Sequence, residues 1–307
     1  MRLSPGARRA LAVLLVAGPT AAMGWMVWKN AAAVRSYPWQ VDLPRLALSI
    51  AAHVAVLAWG VWVWSRVQER FEHAPVRFTR LLRFWFLSNL ARYVPGLQFV
   101  AVAQMSAAHG HRRLVMVASL LAQTGLSLLS AIIVAAWTLG DRTPPGSLAL
   151  GTGATVLGVI AVHPAVLAWG LRLISRIARR EPIVWNGSWA AGMEVLALSC
   201  VSWGLYGIAY YLFLTSLSPL SVALLPQLTG INALSFAAGL LAFVIPGGWG
   251  VREVTMTGLL TPLMPAAVAA VLSAASRLWS VAAELGGGGL SLLLDRRGAA
   301  EPPPAIR

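Results

Sequence analysis

Long apolar stretches alternate with short basic ones along this chain. Runs suited to cross a bilayer as helices fall at about 10–33, 45–64, 114–139, 148–171, 184–214 and 266–293. Each approaches or exceeds the roughly 20 mainly apolar residues that a helix needs to cross about 30 Å of hydrocarbon. Segment 81–108 reads LLRFWFLSNLARYVPGLQFVAVAQMSAA and behaves differently. Pro95 removes a backbone donor and Gly96 permits a sharp turn. The break leaves two arms of about 13 residues, or about 20 Å each, and neither arm can cross alone. The pattern predicts a re-entrant helical hairpin bent at Tyr93-Val94-Pro95-Gly96, sheltered from lipid by protein or by a wet cavity. A second region, 222–264, breaks at Pro246-Gly247-Gly248. Its first arm is long enough to cross, so a hairpin and a pair of full spans both fit.

The spacing of the two breaks favours the hairpin. Pro95 and Pro246 are 151 residues apart, close to half of the 307-residue chain. A shift of that size carries the second apolar run onto the fifth and the third onto the sixth. Halves of about 1–142 and 143–307 then each hold two spans, a hairpin and one more span, starting from opposite sides. The expectation is one membrane domain, all-α and polytopic, with about six spans plus two re-entrant helical hairpins in an inverted repeat. Such repeats with broken helices are a transporter architecture, in which one half rocks against the other.

Composition agrees with a bilayer as the solvent: 58% of residues are hydrophobic and 11% charged, against about 25% charged in soluble domains. The net charge of +14 would suggest nucleic acid in a soluble protein. Here the arginines gather between spans, at 2–9, 66–83, 112–113, 172–180 and 296–307. The opposite connections hold Lys29, Arg35, Arg45 and Arg142. The positive-inside rule therefore predicts a multi-pass protein of the cytoplasmic (inner) membrane with both termini in the cytoplasm, and no nucleic-acid partner. Arg8 and Arg9 before an apolar run resemble a signal peptide, but the run is long for one and reads as an uncleaved first span. Cys200 is the one cysteine, so an internal disulfide and a cysteine-rich metal site are excluded, and no cofactor is expected.

Charged groups at membrane depth cost at least about 2.5–3.5 kcal/mol each, which makes them functional candidates. They are Arg92, Glu194, Arg252, Glu253, Arg277 and Glu284. Arg92 lies three residues before Pro95, and Arg252 six after Pro246. Arg92, Arg252 and Arg277 suit a phosphate, because guanidinium matches its oxygens in a bidentate way. The competing structural reading pairs these arginines with Glu194, Glu253 and Glu284. Asn89, Gln98, Gln104, Gln227 and Asn232 read as interhelical hydrogen-bonding groups, and His53 and His163 as structural histidines. Trp28, Trp39, Trp62 and Trp64 suit an interfacial aromatic belt.

Two stretches resemble the signature regions of a known family. They are Arg92-Tyr93-Val94-Pro95-Gly96 and Pro246-Gly247-Gly248-Trp249-Gly250-Val251-Arg252-Glu253. The family is that of the lysylphosphatidylglycerol synthase transmembrane region, also described as flippase-like membrane proteins. The resemblance extends over most of the chain and implies lipid translocation. It also implies that Arg92, Tyr93, Pro95, Gly96, Pro246, Gly247, Gly248, Gly250, Arg252 and Glu253 are bend or substrate-binding positions, with Arg277 added from its charge. Leu97-Gln98 departs from the pattern expected after the first break. The chain ends at Arg307 without the soluble synthase domain of bifunctional members, so no synthase activity is carried over.

The leading expectation is a lipid flippase or transporter moving an anionic or phosphate-bearing lipid, such as a phospholipid or a polyprenyl-phosphate-linked glycan, with Glu194, Glu253 and Glu284 as proton-coupling candidates. The alternatives are a scaffold for a lipid-modifying enzyme and, third, an intramembrane enzyme. No His-Glu-x-x-His or Gly-x-Ser-x-Gly motif supports the last. A homo-oligomer is compatible with the same sequence.

Overall fold

The computed structural model describes residues 21, 24–25, 27–71, 76–90, 97–108, 112–139, 147–177, 183–242 and 248–299. The protein is all-α and polytopic. Its helices are α1 (Ala31–Arg35), α2 (Leu43–Gln68), α3 (Phe78–Leu90), α4 (Leu97–Ala108), α5 (Arg113–Thr138), α6 (Ser147–Ala161), α7 (Pro164–Ile177), α8 (Trp189–Thr215), α9 (Leu225–Leu241), α10 (Val251–Leu260) and α11 (Ala266–Ala299). Among the described residues, five helical stretches are each long and apolar enough to cross a membrane: Leu43–Gln68, Arg113–Thr138, Trp189–Thr215, Val222–Leu241 and Ala266–Leu294. The expected first span, 10–33, lies mostly outside the described residues. Helix starts follow local chemistry. The Asp42 side chain accepts from the Arg45 N–H to open α2, and the Ser188 hydroxyl accepts from the Ala191 N–H to open α8.

The run expected as one span at 148–171 is broken into two helices, α6 and α7, which are long and apolar enough to cross only together and are bent by 70°. The cause is in the dipeptide His163-Pro164. Proline has no N–H to continue α6 and restricts the residue before it. Pro164 then begins α7, where a missing N–H costs nothing, and His163 Nδ1 accepts from the Ala165 N–H at 3.3 Å. The fifth expected span begins at Trp189 rather than 184. The residues before it are tied to the end of α2, with the Asn186 N–H donating to Arg70 O at 2.8 Å and a bridge between Phe71 and Trp185.

Region 222–264 forms a helical hairpin with one long and one short arm. At 10 residues, α10 rises only about 15 Å and cannot cross. It returns along α9, and the arms meet at two glycines. A Cβ on Gly248 would lie 2.6 Å from Gly239 O, and Gly248 has φ 65°. Only glycine fits both constraints. The first hairpin has arms of 13 and 12 residues, as the pattern predicts, and α3 packs on α4. Its bend at 91–96 lies outside the described residues.

Among the described residues the order of elements recurs along the chain. Helices α2, α3, α4 and α5 start at Leu43, Phe78, Leu97 and Arg113, and α8, α9, α10 and α11 start at Trp189, Leu225, Val251 and Ala266. Packing repeats as well. Helix α5 contacts α9 as α11 contacts α3, and α8 contacts α5 as α2 contacts α11. Each hairpin therefore leans on the last helix of the other half. At the centre, α2 and α8 run antiparallel and are fastened at both ends. At one end the Asp42 N–H donates to Ser216 O at 2.9 Å, and Arg45 Nη1 to Thr215 O at 3.2 Å. At the other, Glu194 pairs with Arg66 at 3.0 Å and Arg70 at 3.2 Å.

Candidate functional site

The hairpin glycines set up the candidate site. Gly250, at φ 84°, caps α10, and Glu253 Oε2 accepts from its N–H at 2.7 Å. This bond, the carboxylate half of a capping box, fixes the first turn, and Arg252 and Glu253 lie inward, 6% and 7% exposed. From α11, Arg277 Nη1 reaches Glu253 Oε1 at 3.6 Å, and its guanidinium lies 4.9 Å from the Trp249 ring centroid, within cation–π range. Glu253 thus joins the cap of α10 to a buried arginine on α11.

Arg252 has a different environment. Its Nη2 donates to Tyr206 Oη and to Asn232 Oδ1, both at 3.4 Å. These are neutral groups at the long limit of a hydrogen bond. Around them, Arg252 Nε, Asn232 Nδ2 and Tyr210 Oη are buried with no hydrogen-bond partner. Each such group costs about 1–3 kcal/mol while it stays unpaired. All three can donate, and the first two can only donate. The wall beside them is aromatic. The His53 ring sits 4.1 Å from Trp279 and 4.6 Å from Tyr206, and Trp203 stacks on Tyr206 at 5.8 Å.

Of the residues expected from sequence, Gly248, Gly250, Arg252, Glu253 and Arg277 come together here. Arg92, Tyr93, Pro95, Gly96, Pro246 and Gly247 lie outside the described residues. Glu194, expected well within a span, stands in the second turn of α8, in the ion cluster with Arg66 and Arg70, with its side chain 38% exposed. Glu284 is buried about two turns beyond Arg277 on α11. Asn232, read as an interhelical hydrogen-bonding group, is a partner of Arg252. Tyr206, Tyr210 and Trp279 were not singled out. Their signal was available: Tyr206, Tyr210 and Phe213 follow the i, i+4, i+7 spacing of one helical face. Among the described residues, no group of three or more His, Cys, Asp or Glu could hold a metal ion. Compared with protein-family models, curated proteins and solved structures, the chain matches none.

Proposed function

We propose that this protein is a lipid translocator of the cytoplasmic membrane, passing the anionic or phosphate-bearing headgroup of a lipid along Arg252 at the second hairpin. Arg252 carries this reading. It is a permanent cation, buried in a chain that uses membrane as solvent, and its hydrogen bonds run to neutral oxygens while the neighbouring arginine has a carboxylate. Glu253, the carboxylate next in the chain, acts on Arg252 through space but makes its contacts with the Gly250 N–H and Arg277. A headgroup phosphate would give Arg252 a directly bonded anion and accept from the unpaired donors beside it. The resemblance of the two Pro-Gly breaks to the flippase-like family supports the same class, and by that resemblance Arg92 serves the first hairpin.

The packing also bears on how such a protein moves. Because each hairpin leans on the other half's last helix, the halves cannot rock apart as two blocks, as a simple repeat would suggest. Clamped at both ends, α2 and α8 act as the fixed axis, and the hairpins are the moving parts. The test is transbilayer movement of labelled phosphatidylglycerol and polyprenyl phosphate in proteoliposomes. Wild type moves at least one of them, and Arg252→Ala does not while keeping its helical content and melting profile. Equal movement by both proteins would remove Arg252 from the path. No movement of any anionic lipid by wild type would sink the translocator reading.

A further inference from the structure

The bend between α6 and α7 leaves a pocket of about 270 Å³ between this pair and the core. Phe71 and Trp185 line it where α2 meets α8, Ala122 lines it from α5, and Leu167, Gly170 and Ile174 line it from α7. The lining is almost wholly apolar. Helix α7 also shows two outward surfaces. Val166 and Trp169, which also line the pocket, fall with Leu173 and Ile177 on one exposed stripe, while Arg172 and Arg176 project from another. An apolar stripe beside arginines is the pattern of a helix lying in the membrane interface over anionic headgroups. The bend of 70° is consistent with that attitude. The pocket also lies at the arginine-rich end of the α2–α8 pair, next to Arg70.

We propose that this pocket holds one acyl chain of an anionic glycerophospholipid as a resident, untransported lipid. The chain fills the apolar volume, and the headgroup lies against Arg172 and Arg176. The charge of α7 chooses the lipid, and the pocket holds it. The lipid fastens α6–α7 to the repeat core, and this site is separate from the one at Arg252.

The test is native mass spectrometry of the full chain in detergent, offered phosphatidylglycerol or phosphatidylcholine with identical acyl chains. Wild type is expected to retain one lipid and to prefer phosphatidylglycerol. Gly170→Leu fills the pocket, and because a Cβ at Gly170 meets nothing within 4 Å the variant should fold. It should retain none. Ala122→Leu fills the pocket from the opposite wall and should do the same, guarding against a folding defect in the first variant. Arg172→Gln and Arg176→Gln should each narrow the headgroup preference about fivefold while retention persists. Retention unchanged in both filled variants places the lipid elsewhere and overturns the proposal, as does the absence of retained lipid in wild type. A headgroup preference unmoved by the arginine variants overturns its anionic part. A dimer that filling the pocket disperses would make the occupant a second copy of the chain. None of these residues belongs to the Arg252 site, so loss of the translocator reading leaves this result standing.

Discussion

Two clusters of charge, one at the rim of the α2–α8 pair and one at the tip of the second hairpin, use the same residue types to opposite ends. At the rim, Glu194 takes Arg66 and Arg70, and Arg66 also takes Glu69 at 2.7 Å. These side chains are 28–44% exposed, and water shares the load. In the hairpin, Arg277 and Glu253 are nearly sealed, and Arg252 beside them has neutral partners at long range. Exposure makes the rim cluster a low-cost fastening. Burial makes the hairpin cluster costly, and an expense of that kind persists where function requires it.

The comparison can be broken most directly at Arg252. Arg252→Ala should abolish lipid movement in proteoliposomes with little loss of stability, whereas Glu194→Gln should leave movement near wild type. The reverse ranking would assign function to the rim. Next in size is Glu253→Ala, which strips a carboxylate from the buried Arg277 and the cap from α10. Breaking a buried pair costs roughly 3–5 kcal/mol, and thermal unfolding in detergent should show a loss near the lower figure, since Arg277 keeps its contact with Trp249. Gly248→Ala should cost about 1–3 kcal/mol from its left-handed backbone, plus the clash with Gly239 O, and should impair the hairpin without touching a charge. Smallest is Glu194→Gln on stability: about 1 kcal/mol or less for an exposed pair, shrinking as salt is added. A loss of several kcal/mol there, unmoved by salt, would mean that the rim is as closed as the hairpin.

The sequence made the architecture legible because hydrocarbon is an exacting solvent. It forces each crossing helix to declare itself by length and apolarity, and each break to declare itself by proline and glycine. The arm lengths of the first hairpin follow from that. The bend at His163-Pro164 was equally visible in the dipeptide but was hidden by an apolar run long enough to cross. Glu194 shows another limit. Its depth depends on where α8 begins, and that is set by a backbone tie from Asn186 to the end of α2, a contact that no local pattern carries. The same holds for Arg252. Its charge and nearness to the break were readable, but its long bonds to Tyr206 and Asn232 depend on three helices meeting.

The lean of each hairpin on the opposite half sets an order of assembly. As the chain emerges from the ribosome, α3 and α4 can pair early, but the surface of α3 that meets α11 waits for residues beyond Ala266. Phe86 waits with it, since it lies where Gly287 leaves room for its ring. The first hairpin is therefore inserted long before it is finished, and the last helix completes the oldest part of the molecule along with the newest. A chain stopped before Ala266 would leave an open flank in the membrane rather than a smaller working half.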